Sequence, residues 1–158
     1  PDAMVQECVR VYRALTVTTD PVVYDVYPVT PDTGIIVMVM GCRSLYSLWS
    51  DSVSIQNYIL ERAPSRSVGD IRCRFSESCA FNCVLSMLVG AGDRHLDNVL
   101  LDLRSAELLH IDYSVCFERG LRLKVPETVP FRLTHSMQAA LGPAGGAGGY
   151  ESQTIVGA

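Results

Sequence analysis

At 158 residues with a formal net charge of -4, 48% apolar and 19% charged residues, the chain is long enough for one domain, or one and a fragment. It is also apolar enough to bury a core, which excludes wholesale disorder. A pI of about 5.3 without any basic block speaks against a nucleic-acid groove or an anionic membrane patch, so no direct nucleic-acid binding is expected.

In chain order, Met4, Val5, Cys8, Val9, Tyr12 and Leu15 recur near helical spacing and predict an amphipathic helix over residues 2–16, ended by Thr18-Thr19-Asp20-Pro21. Glu7, Arg10 and Arg13 interrupt its apolar residues, unlike a signal peptide. The chain opens on Pro1 rather than Met and is expected to be a piece of something longer. Residues 22–29 and 34–40 are β-rich and flank Thr30-Pro31-Asp32-Thr33, so a hairpin is predicted. Its second strand is almost wholly apolar and is therefore expected to be buried. Leu45, Leu48, Trp49, Val53, Ile55, Tyr58 and Ile59 are consistent with a helix over residues 44–62. Residues 63–70 hold Pro64, Ser65, Ser67 and Gly69 and read as a loop.

Residues 75–89 predict a helix apolar on most sides, and so central, stopping at Gly90-Ala91-Gly92. The longest uncharged apolar run, residues 78–92, falls short of the ~20 residues of a membrane span. A polar cluster follows, Asp93-Arg94-His95-Leu96-Asp97-Asn98. Apolar-rich strands are then predicted over residues 99–103 and 107–112 around Arg104-Ser105-Ala106. Residues 113–130 lack periodicity, residues 131–141 read as a further helix, and the glycine-rich residues 142–149 as a flexible stretch.

The six cysteines, Cys8, Cys42, Cys73, Cys79, Cys83 and Cys116, form no Cys-x-x-Cys pair and have no histidine at zinc-finger spacing. Reduced, mostly buried thiols of an intracellular protein are the better reading.

The short hairpin carries chemistry. If it folds about Ser105, facing residues sum to 210, which sets Asn98 opposite Asp112. Antiparallel partners lie ~4.5–5.5 Å apart at Cα, so an amide and a carboxylate would meet at its open end. Both offer hard oxygen ligands of the kind Mg²⁺ takes together with phosphate and water. Asp93 enters the hairpin five residues before Asn98, so the three side chains can converge. Phosphoryl transfer needs such a trio: one carboxylate for the nucleophile's hydroxyl proton, and an Asn and an Asp for the metal. Asp93 suits the first role, Asn98 and Asp112 the second. His95 could donate to a γ-phosphate oxygen.

Gly92-Asp93-Arg94-His95-Leu96-Asp97-Asn98, then His110-Ile111-Asp112-Tyr113, then Val125-Pro126-Glu127-Thr128-Val129-Pro130-Phe131-Arg132-Leu133-Thr134, resembles the phosphatidylinositol 3-kinase-related protein kinases. Residues 92–142 are most similar to the mRNA-decay branch, while Phe131–Met137 is similar to the checkpoint branch. The resemblance implies an α+β, lipid-kinase-like protein kinase fold, present in part: a hinge hairpin and a mainly helical C-lobe with a catalytic-loop hairpin. Residues 1–40 would be a remnant of the N-lobe, 41–142 the C-lobe and 143–158 a flexible tail.

The resemblance also implies ATP with Mg²⁺, or Mn²⁺ in its place. Asp93 and His95 would be catalytic, and Asn98 and Asp112 metal ligands. Ile36, Met38, Val39, Leu100 and Ile111 would line the adenine site, with Val39 offering backbone hydrogen bonds. Tyr113, Lys124, Phe131 and Arg132 would belong to the activation loop that meets substrate. Tyr27 would lie in the strand leading to the hinge, and Asp2 would match the first-lobe acid that orders a lysine. The chain departs from the pattern in several places. No glycine-rich loop precedes Asp2, Lys124 is the only lysine, and Met38 and Ser114 stand where relatives often carry Trp and Gly.

Three readings follow. One is a Ser/Thr protein kinase fragment, inactive in isolation, whose longer parent phosphorylates proteins at Ser/Thr, with Gln following. The others are a phosphatidylinositol kinase and a non-catalytic binding module. Arg119, Arg122 and Lys124 are too few and spread for a headgroup site, which argues against the lipid reading. The expected setting is intracellular, cytoplasmic or nuclear.

Overall fold

The computed structural model describes residues 1–15, 22–30, 33–62, 65–117, 119–124 and 128–142. The expected breaker at Thr18–Pro21, the turn centre at Pro31 and Asp32, residues 125–127 and the tail 143–158 lie outside them.

Helix α1 (Asp2–Leu15) forms as expected. Only one line of its apolar residues is covered: Val5 and Val9 are buried and the Tyr12 ring packs on Phe81 at 5.2 Å, while Met4, Cys8 and Leu15 stay exposed. The hairpin pairs β1 (Val26–Pro28) with β2 (Gly34–Ile36), antiparallel, with Val26 opposite Ile36. Its strands are shorter than expected, and the burial expected for the second one is wrong. Ile35, Ile36 and Val37 are exposed, because this two-stranded ribbon has no further strand on it among the described residues. Arg10 of α1 bonds Asp25 just ahead of β1, fastening the ribbon to the helix.

The predicted helix over 44–62 is two helices, entered from a short strand. Strand β3 (Cys42–Ser44) runs directly into α2 (Leu45–Ser50), whose first turn is capped by Ser44 Oγ accepting from Ser47 N–H at 3.2 Å. The chain breaks at Asp51 and Ser52, the latter at φ 55°, and α3 (Ile55–Arg62) restarts with Ser54 Oγ capping Asn57 N–H at 3.1 Å. The loop expected at 63–70 ends early, because Ser67 Oγ accepts from Asp70 N–H at 3.0 Å and starts α4 (Val68–Val89).

This 22-residue helix joins two cores. Ile71, Phe75 and Cys79 face one that holds α2, α3, Val99, Leu101, Leu108 and Met137. Phe81, Leu85 and Val89 face another with Val5, Val9, Tyr113 and Cys116. Gly90, left-handed at φ 55°, ends the helix as its position predicted.

Strands β4 (Val99–Asp102) and β5 (Leu108–His110) complete a three-stranded antiparallel sheet ordered β3-β4-β5. The final helix, α5 (His135–Leu141), starts later than expected because Thr134 Oγ1 caps Met137 N–H at 3.3 Å. The expected α+β class stands. Among the described residues, no helix is long and apolar enough to cross a membrane.

Candidate active site

The register that positions the site differs by one residue from the expected one. Val99 faces His110 and Leu101 faces Leu108, so partners sum to 209 and Asn98 falls opposite Ile111, not Asp112. The four-residue loop after Asp102 decides this. Asp102 Oδ1 accepts from Arg104 N–H at 2.8 Å, Ala106 N–H donates to Asp102 O at 2.9 Å, and Ala106 is left-handed at φ 67°. The ladder continues through Ile111 N–H to Asn98 O at 3.0 Å and then breaks at Asp112, where φ is 56°.

Asp93 and Asp112 are thus both non-glycine residues in the left-handed region, at φ 54° and 56°. Such geometry costs of order 1–3 kcal/mol and persists where neighbours enforce it. Here they do. Arg94 is buried, and its Nε donates to Gly92 O at 2.8 Å while Nη1 donates to Ile111 O at 2.8 Å. Its Nη2 donates to Asp112 O, and the guanidinium lies 5.1 Å from the centre of the Tyr113 ring. Asn98 Nδ2 donates to Asp93 O at 3.0 Å, and Gly92 N–H to Val115 O at 2.9 Å. The segments bearing the Asp93 and Asp112 carboxylates are therefore bound to one another.

The Asp112 carboxyl is held below its usual range, first by hydrogen bonds from the Ser114 hydroxyl and N–H, then by the Arg94 and His95 charges. It is an exposed carboxylate whose ionised form the surroundings favour, so its oxygens could serve a cation. Because the amide nitrogen of Asn98 is used on Asp93 O, its oxygen is the atom it can offer a cation. Two hard oxygen donors, with the rest left to phosphate and water, fit Mg²⁺.

The other expected residues are placed as follows. Asp93 and His95 are exposed at the mouth of the loop. Leu100 and Ile111 share a sheet face by strand alternation, since Leu100 faces Leu109. Met38 and Val39 lead through Gly41 into β3, beside β4, with Leu103 N–H donating to Gly41 O at 3.1 Å. Ile36 and Met38 remain exposed, so the five apolar residues do not enclose a slot by themselves. Arg132 Nη1 reaches Arg94 O at 3.4 Å, Phe131 is half-buried, and Lys124 and Tyr27 are exposed.

Tyr113 is not on the substrate side. It is 1% exposed, packed in the core with α1, and its N–H donates to Asp2 Oδ1 at 3.0 Å. Asp2 is thereby tied to the residue after Asp112. Two further features lay outside the sequence reading. Arg94 looked like one more polar residue of a polar cluster. Ser78, Asn82 and Ser86 recur every four residues on an otherwise apolar helix, a readable signal for a buried polar stripe.

The arrangement is that of a kinase-class phosphotransferase, present as part of its catalytic domain. Residues 50–156 match the family model of the phosphatidylinositol 3- and 4-kinases, and the chain belongs to that family. Its resemblance to the phosphatidylinositol 3-kinase-related branch holds as well. It is 52% identical over 71 residues to "Serine/threonine-protein kinase SMG1" of Danio rerio, covering 45% of this chain and 2% of that one. It is 44% identical over 85 residues to "Serine/threonine-protein kinase MEC1" of Eremothecium gossypii, covering 54% of this chain and 4% of that one. Among solved structures, "FAT and kinase domain of CtTel1" shares the fold at a TM-score of 0.75 and 23% identity, covering 90% of this chain and 14% of that one. The chain thus spans 4% or less of the length of these curated relatives.

Proposed function

We propose that this chain supplies the hinge and C-lobe of a Ser/Thr protein kinase that transfers the γ-phosphoryl group of ATP to protein Ser/Thr, in the mRNA-surveillance branch. Asp93 accepts the hydroxyl proton of the substrate as the oxygen attacks phosphorus, and His95 donates to a γ-phosphate oxygen. Asn98 and Asp112 hold Mg²⁺, which when bound offsets charge on the phosphate oxygens. Met38 and Val39 lie against adenine, with Leu100 and Ile111 beneath it. Residues 1–40 belong with the N-lobe and 41–142 with the C-lobe, and the protein works in the cytoplasm or nucleus.

The observation that carries this reading is the pair of left-handed aspartates, Asp93 and Asp112, on segments joined through the Arg94 side chain. The relatives' names support protein rather than lipid as the acceptor.

The test is Asp93→Asn in the full-length parent. Asn tolerates the left-handed backbone, so the loop keeps its shape. Phosphorylation of a Ser-Gln peptide should fall about 10²–10⁴-fold with nucleotide binding retained. Turnover equal to the wild type would remove Asp93 from the role. Phosphate incorporated into phosphatidylinositol vesicles but not into peptide would replace the protein-kinase reading with the lipid one.

A further inference from the structure

We infer that Arg94 is a positioning residue that sets the spacing between the catalytic carboxylate and the metal ligands. The inference rests on the kinase reading above for its metal, but not for its geometry.

A buried guanidinium is costly unless its donors are used. Those of Arg94 are spent on three backbone carbonyls rather than on a carboxylate: Gly92 O on one segment, Ile111 O and Asp112 O on the other. The planar fork fixes the directions of its N–H groups relative to each other. Three carbonyls bonded to one such plane are therefore held at set distances. The guanidinium carbon lies 5.1 Å from the centre of the buried Tyr113 ring.

The consequence falls on Asp93 and Asp112. The carbonyl before Asp93 is held by Arg94, and the carbonyl of Asp93 itself by Asn98. The carbonyls of Ile111 and Asp112 bracket the point where the strand ends and the backbone turns left-handed. The observed register alone sets Asn98 opposite Ile111 and leaves Asp112 past the ladder. Beside the backbone bond from Gly92 N–H to Val115 O, Arg94 is the side chain that ties the segment bearing Asp112 to the one bearing Asp93. It touches neither substrate nor metal in this role. It acts through the two backbones it joins.

Lysine at this position keeps the charge but offers one compact donor group, which cannot span three carbonyls on two segments. The experiment uses the full-length parent with Mn²⁺ as the probe, titrated in the presence of ADP and followed by the electron paramagnetic resonance of free and bound metal. Arg94→Lys should weaken Mn²⁺ binding about 10–100-fold, the range found when a group behind a metal ligand is lost. Affinity for ADP without metal should stay unchanged. In turnover, kcat should fall and the KM for peptide should hold, because the groups that bind peptide are untouched. Unchanged Mn²⁺ affinity in a folded Arg94→Lys protein overturns the inference.

If that variant yields no folded protein, Arg94→Gln serves, since a side-chain amide is too short and has too few donors to bond carbonyls on both segments. It must weaken Mn²⁺ binding in the same direction, and no change overturns the inference equally. A parent that binds Mn²⁺ with ADP but phosphorylates nothing overturns the kinase reading instead, and the metal titration still decides on Arg94.

Discussion

Two buried polar residues show how single side chains are conditioned here. His110 is 3% exposed, its Nδ1 3.4 Å from Ser86 Oγ. Burial pushes its imidazole down to about 3, and the Arg94 charge adds to the effect. The unfolded chain takes up a proton on this histidine near pH ~6.5, whereas the folded chain does not until near pH ~3. Stability therefore falls as pH falls through that window, by up to about 1.4 kcal/mol per pH unit. Thermal unfolding in chelator should show a midpoint that drops from about pH 7 to about pH 5. His110→Gln should flatten that slope, and equal slopes would assign the loss to other groups. Asp112 has the same sign by a different cause. Its carboxyl is depressed by Ser114, so the stability it contributes is present above the ordinary carboxylate range and is lost as pH falls through its lowered value. Both His110 and Arg94 stand in the motifs that carry the family resemblance, yet nothing in the sequence says that either is buried. Their roles come from which carbonyls and hydroxyls the fold brings to them.

At the scale of elements, α4 does more than fill a core. Strand β5 lies at the edge of its sheet, and the backbone groups it turns to α4 need partners. Ser78 Oγ accepts from Leu108 N–H at 2.9 Å, and Asn82 Nδ2 donates to Leu108 O at 3.0 Å. Asn82→Leu should cost about 1–3 kcal/mol, because it leaves a buried carbonyl unpaired. Exposed Val84 on the same helix, changed to Ala, should stay within about 0.5 kcal/mol. Denaturant midpoints of the two variants check this, and similar losses would mean that the polar stripe does not hold the strand. Helices α1 and α4 and the loop between α4 and β4 were legible because local spacing and a left-handed glycine define them. Strand β3 was not, since Cys42-Arg43-Ser44 has no alternation and becomes a strand only by pairing with β4. The split of α2 from α3 turns on serine caps, which a run of apolar residues at helical spacing overrides. The hairpin register was missed by one because a three-residue and a four-residue loop read alike until Asp102 and Ala106 take their positions. The expected convergence of Asp93, Asn98 and Asp112 rests on the three-residue loop. The structure joins their segments by another route, through Asn98 on the Asp93 carbonyl and Arg94 on the Asp112 carbonyl.

For the whole molecule, the question is whether two cores make two folding units. Helix α4 contributes its N-terminal half to the core with α2 and α3, and its C-terminal half to the core with α1 and Tyr113. Helix formation is cooperative, and the stripe from Ser78 to Ser86 bonds the sheet across the junction between the two halves. The two cores should therefore unfold together. Trp49, the only tryptophan of the chain, sits on α2 in the first core's helix. Leu85, 3% exposed, belongs to the second. Leu85→Ala should cost about 2–5 kcal/mol and lower the unfolding midpoint reported by Trp49 as much as that reported by far-ultraviolet circular dichroism. A Trp49 midpoint that stays put while the helical signal shifts would mean that the cores are separate units. The site depends on the answer. Asp93 follows the end of α4, and Asp112 precedes Tyr113 of the second core while its strand, β5, is packed on the first. If the cores moved independently, the distance that Arg94 spans would vary with them.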